Sequence, residues 1–88
     1  LVKGAYDVIS DGERTRVSRT GNAGMTVGGT GDVLAGVTGA LTCVLEPNHA
    51  AAVGAYVNGA AGDAVVEEYG SGLVATDLLE AVPGVLWD

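Results

Sequence analysis

Between Gly24 and Val37 the chain reads GMTVGGTGDVLAGV, a stretch in which five of fourteen residues are glycine. Glycine loses more backbone freedom on folding than any other residue, so such a cluster costs stability unless geometry requires it. Two requirements suit it: a sharp loop, or a ligand that must touch the backbone. From Asp32 the pattern changes, and Leu34, Val37, Leu41 and Val44 or Leu45 recur at helical spacings of three and four. The glycines therefore stand at the entrance of a helix that runs from Asp32 toward Pro47.

The first turn of a helix leaves up to about four N–H groups without partners and carries about half a positive charge. Glycines let those groups approach an anion without obstruction, which is a common way to build a phosphate site. The P-loop is excluded, because no Gly-Lys-Ser/Thr follows these glycines, and the dinucleotide fingerprint fails where Leu34 replaces its third glycine. What remains is Gly28-Gly29-Thr30-Gly31-Asp32. Residues 20–88 contain no Lys or Arg, so an anion held there by this segment alone is held by backbone and dipole. Asp32 has two readings. As an N-cap it would satisfy helix N–H groups. As a base it would take a proton from a hydroxyl that attacks a phosphate neutralised by the loop. The residues alone leave these readings level.

Elsewhere the order is strand, hairpin, strand, glycine loop and three helices. LVKGAYDVI, residues 1–9, is strand-like; Asp11-Gly12 signals a hairpin turn; TRVSR, residues 15–19, alternates as a returning edge strand with Arg14, Arg16 and Arg19 facing solvent. TGNAGMTVGGTG, residues 20–31, forms the loop. Gly36 and Gly39 weaken the first helix and predict close packing against it. Pro47 ends that helix and Asn48 caps a second over residues 49–69, with Val53, Val57, Ala60 or Ala61, and Ala64 on one face. Gly54, Gly59 and Gly62 predict tight packing there too. Thr76-Asp77 opens a short helix that Pro83-Gly84 interrupts.

Eighty-eight residues make at most one small domain, and 15 glycines with no Phe give it few bulky anchors. That composition, and a start at Leu1 within a strand-like run, predict a segment of a larger α/β domain whose missing part lies N-terminal. The net charge is −7, and all four cations lie within the first 19 residues. Such a surface repels nucleic acid and anionic lipid, so neither is expected as a partner. It also suits solubility in a high-salt cytoplasm. The lone Cys43 sits in an apolar helical run and is expected to be a small buried side chain. His49, beside Pro47, reads as a surface residue. No apolar stretch reaches the roughly 18–20 residues that cross a bilayer, and a cytoplasmic location is expected.

GNAGMTVGGTGDVLAGV resembles the C-terminal signature of the ribokinase-like superfamily, and most closely that of the ADP/ATP-dependent NAD(P)H-hydrate dehydratases. VKGAYDVI is similar to the family's Lys-Gly strand, AYVNGAAGD to its following helix and ATDLLEAVP to its closing segment. The resemblance implies a three-layer α/β/α fold, of which residues 1–88 are the C-terminal segment. It implies repair of hydrated NAD(P)H (NAD(P)HX) by phosphorylation of its hydroxyl and elimination of phosphate. ADP or ATP would be the phosphoryl donor, with Mg2+, and no residue is assigned as a metal ligand. Carried over by position, Gly29, Thr30 and Gly31 form the anion hole, and Gly31 also touches the nucleotide. Asp32 is the base on the hydrated nicotinamide, Asn22 sits near the substrate, and Lys3, Gly4, Ala5 and Tyr6 lie along the nucleotide's phosphates or ribose.

The chain departs from the family pattern at Asp7, where threonine or serine is usual; at Ala23, where Asn-Pro-Gly is usual; and at Asn58, where histidine is frequent and to which no role is assigned. A homo-oligomer is expected for the intact protein, and an isolated segment is expected to be inactive. Two alternatives stand beside this reading. One is a vitamin-precursor kinase of the hydroxyethylthiazole type. The other is a non-catalytic packing module whose glycine loop is a connector.

Overall fold

The computed structural model describes residues 1–25 and 28–87; Thr26 and Val27 of the expected loop lie outside the described residues. Two strands, β1 (Asp7–Ser10) and β2 (Thr15–Ser18), precede three helices, α1 (Thr30–Leu41), α2 (Pro47–Tyr69) and α3 (Ala75–Trp87). Single 3-10 turns at Ala23–Met25 and Gly70–Gly72 link them.

The strands pair antiparallel, with Asp7 opposite Ser18 and Ser10 opposite Thr15. Asp11 organises the turn between them: its carboxylate accepts from the backbone N–H of Glu13 at 2.9 Å and of Arg14 at 2.8 Å, while Gly12 takes a φ of 93°. β1 is shorter than the expected run from residue 1. Val2 and Val8 bond to each other as an isolated bridge, so Lys3–Tyr6 loop out between them. The Asp7 carboxylate holds that loop, accepting from Gly4 N and from Lys3 Nζ, each at 3.2 Å. The register also corrects the expectation for the arginines. Ile9, only 2% exposed, and its partner Arg16 face the helices, whereas Val8 and Val17 are exposed on the outer side. Arg14 and Arg19 are exposed, but Arg16 is half-buried.

α1 starts at Thr30 and ends at Leu41, short of Pro47. Past Leu41 the bonding tightens: Cys43 N donates to Ala40 O, and the Thr42 hydroxyl takes the Gly39 carbonyl, a local competition that ends helices. Cys43 consequently lies outside the helix and is exposed, contrary to the expectation of burial. Gly36 and Gly39 face open space, so the close packing expected at them is not found.

α2 begins at Pro47, and its cap is Glu46, whose side chain accepts from His49 N at 2.8 Å. Proline at the first helical position lacks an N–H that would have no partner there. Asn48 is not the cap; it is buried one residue further on and donates to Asp11 Oδ2 at 3.0 Å. Close approach does occur at this helix's glycines. A Cβ at Gly54 would overlap Thr38 of α1, one at Gly59 would overlap Thr20, and one at Gly62 would overlap Met25. Two of those three partners belong to the loop rather than to another helix. Burial spreads over Ala50, Ala55, Val57, Ala61 and Val65, and Ala64, expected on the packed face, is exposed.

α3 runs through Pro83 rather than stopping at it. Proline removes one helical hydrogen bond, but buried Leu78 before it and half-buried Val85 and Leu86 after it keep the segment docked. Val33, Val65, Leu73 and Leu78 form the common core of the three helices, with Met25 and Ala75 packed against it. No described helix is long and apolar enough to cross a membrane.

Candidate active site

The loop after β2 is pinned to α2 by a short relay of polar groups. The Thr20 hydroxyl donates to Tyr56 O at 3.0 Å. The Asp63 carboxylate accepts from Gly21 N at 3.1 Å and from Asn22 Nδ2 at 2.7 Å, and Asn22 Oδ1 accepts from Gly24 N at 2.9 Å. Gly59 is what lets the Thr20 backbone lie this close to the helix. The loop then descends through Met25, whose carbonyl accepts from the Thr30 hydroxyl at 3.2 Å, and so reaches the start of α1.

Between this pinned loop, the Lys3–Ala5 loop and α2 lies a cleft of about 440 Å³, within the size range of ligand sites. Lys3, Gly4 and Ala5 form one wall; Gly21 and Asn22 form another; Asn58 and Gly59 form the floor; Thr30 stands at the α1 end. Five residues singled out from the sequence therefore meet here: Lys3, Gly4, Ala5, Asn22 and Thr30. Tyr6 does not join them. Its ring is exposed, with the Arg19 guanidinium 5.8 Å from its centroid, a cation–π separation.

Gly29, Gly31 and Asp32 flank Thr30 on the first turn of α1. Gly29 is the N-cap, with a φ of 99° and no side-chain cap bond. An aspartate in the third helical position does not occupy the cap, so the capping role weighed for Asp32 is not the one it has. The side chain is exposed and makes no hydrogen bond or ion pair among the described residues. Its charge complements the helix dipole.

Asn58 was missed by sequence reasoning. It is 1% exposed, it lines the cleft, and its Oδ1 has no hydrogen-bond partner among the described residues. A buried polar atom without a partner costs about 1–3 kcal/mol; Thr38 Oγ1 and Asn48 Oδ1, which do not line the cleft, are in the same state. The available signal was one amide inside the small, apolar helix segment AYVNGAAG. Asp63 was missed as well, because its partners lie 41 and 42 residues away. Among the described residues no group of three His, Cys, Asp or Glu side chains could hold a metal ion.

On this α/β scaffold the cleft meets a glycine-capped helix start at Thr30, whereas Gly29, Gly31 and the exposed Asp32 are not among its lining residues. Residues 1–84 match the family model for NAD(P)H-hydrate dehydratase, and the chain belongs to that family, whose fold is ribokinase-like. It is similar to the bifunctional NAD(P)H-hydrate repair enzymes Nnr of Archaeoglobus fulgidus, at 54% identity over 94% of this chain, and of Methanospirillum hungatei, at 55% over 99%. It is also similar to the ADP-dependent (S)-NAD(P)H-hydrate dehydratase of Cenarchaeum symbiosum, at 49% identity over 98%. The chain spans 18%, 18% and 30% of the lengths of these three curated relatives.

Proposed function

We propose that residues 1–88 form the phosphate-transfer corner of a nucleotide-dependent NAD(P)H-hydrate dehydratase, as the C-terminal segment of one ribokinase-like domain. The observation that carries this reading is the junction at Thr30, which lines the cleft while Asp32, two residues on, keeps an exposed carboxylate that caps nothing. The nucleotide lies in the cleft along Lys3, Gly4 and Ala5, with Asn58 on its floor. Asn22, held by Asp63, sits at the substrate side. Backbone N–H groups of Gly29–Gly31 face the transferred phosphate, where the helix dipole favours negative charge.

Asp32 accepts the proton of the substrate hydroxyl as that oxygen bonds to the terminal phosphorus of the donor and the donor's own P–O bond breaks. A base that receives its proton as the phosphoryl group moves does not need a raised pKa. Phosphate then leaves with its bonding electrons, the ring gives up a proton, and the C=C bond of NAD(P)H is restored. The curated relatives named ADP-dependent support ADP as the donor, which leaves AMP. Mg2+ would arrive with the donor's phosphates and its own waters, a usual mode for this ion. Substrate recognition falls mainly to the rest of the domain. A cytoplasmic location and assembly as a homo-oligomer are part of the same reading.

The test is incubation of the intact protein with hydrated NADH and ADP. Recovery of NADH absorbance with one AMP and one phosphate per turnover is expected. Phosphorylation of a hydroxyethylthiazole-type alcohol without NADH recovery would favour the vitamin-precursor kinase instead.

A further inference from the structure

Lys3 is the only cation among the described residues lining the cleft, and it is not free. Its Nζ lies 3.2 Å from Asp7 Oδ2; the lysine side chain is 49% exposed, whereas that of the aspartate is 4% exposed. The second carboxylate oxygen of Asp7 accepts from Gly4 N at 3.2 Å, and the residue's backbone is fixed in β1 opposite Ser18. A carboxylate this buried is costly to leave without a counter-charge, which favours the ion pair. The other cations are engaged elsewhere: Arg14 near Glu46, Arg16 against His49 and Arg19 over Tyr6. Behind the opposite wall stands a further carboxylate, Asp63.

We propose that Asp7 is a nucleotide-selectivity residue: it cancels the charge of Lys3 and so removes the electrostatic preference for a triphosphate over a diphosphate that an unpaired lysine would give the cleft. The proposal rests on the reading of this cleft as the nucleotide site. ATP brings one more negative charge than ADP, with or without bound Mg2+. Against an unpaired lysine that charge is attracted; against a neutral pair it gains little. Asp7 also shapes the wall through Gly4, but only its charge bears on phosphate number.

A charge series tests this in the intact protein. The ratio of the dissociation constants for ADP and ATP is measured by titration calorimetry at low salt, beside thermal unfolding. Asp7→Asn keeps an acceptor for Gly4 N and leaves the pair at +1; Lys3→Met leaves it at −1; the double variant returns it to zero. Preference for ATP over ADP should rise on the order of threefold in Asp7→Asn, the size of one charge acting across about 8 Å at a water-like dielectric. It should fall by a similar factor in Lys3→Met and return to the wild-type ratio in the double variant. Lys3→Met alters a half-exposed side chain and serves even if Asp7→Asn does not fold. A ratio that stays constant while affinities change overturns the proposal and leaves the nucleotide site intact. Failure of the wild type to bind either nucleotide overturns the reading of the cleft as well.

Discussion

Two helices of this chain begin in opposite ways. α2 starts with every local device available: a Glu46 side-chain cap, Pro47 in the first turn, and Asn48 bonded across to Asp11. His49 extends the anchor. Arg16 Nη2 lies 3.2 Å from its Nε2 and Glu46 Oε1 lies 3.2 Å from its Nδ1. A guanidinium can only donate, so Nε2 accepts and Nδ1 donates. α1 starts with a glycine that offers no side chain, and the one carboxylate in its first turn points away from the capping role. The difference separates structure from function. One helix start is closed by its own side chains and holds the hairpin in place, while the other has no side-chain cap and is the end that the proposed function gives to a ligand.

The largest expected effect comes from removing the carboxylate of the open start. Asp32→Asn should lower turnover of hydrated NADH by about 10²–10⁴-fold, the usual range for a general base, while nucleotide affinity and unfolding temperature stay near wild type. If Asp32→Asn changed stability and spared turnover, α1 would be an ordinary helix start and the contrast with α2 would fall.

Next in size is Gly29→Ala. The residue would be placed at a φ of 99°, and its Cβ would lie 2.8 Å from that of Ala75. A left-handed non-glycine residue costs about 1–3 kcal/mol, and relief by moving the turn would displace the N–H groups of Thr30 and Gly31. Both stability in urea and affinity for nucleotide should fall. Glu46→Ala removes the α2 cap, for about 1 kcal/mol, and should leave the nucleotide dissociation constant unchanged. Equal losses of affinity in the two variants would erase the distinction between the open start and the closed one.

That distinction was only half legible in the sequence. Helical spacing locates α1 and α2, the Thr76-Asp77 start signal locates the beginning of α3, and the glycines of α2 announce its close packing. Local signals with long-range answers were misread. Lys3–Tyr6 looks like strand because the carboxylate that folds it out is Asp7, itself in the strand. Asn48 looks like a cap because its actual partner, Asp11, lies 37 residues earlier. Pro83 looks like a stop because the packing of Leu78, Val85 and Leu86 that overrides it is tertiary. Asn58 carries no periodic signal at all: its position in the cleft lining is revealed only by three-dimensional placement. The family resemblance supplied the readings of Gly29–Asp32 and Lys3–Tyr6, and the described structure brings Lys3, Gly4, Ala5, Asn22 and Thr30 to one cleft.

The smallest effect tests how the closed start responds to acid. The N–H groups of Arg14 and then Glu13, with the Asn48 amide, hold the Asp11 carboxyl well below the ordinary carboxylate range. A carboxyl whose pKa is depressed by folding contributes stability that is complete above its unfolded value, near 3.9. That contribution is lost as the pH falls from there toward the folded value. Asp11→Asn has no such titration. It should be less stable than wild type in urea at pH 7, and the gap between them should narrow at pH 3. A gap that stays constant between the two pH values would mean that the charge of Asp11 contributes nothing and that shape alone ties the hairpin turn to α2.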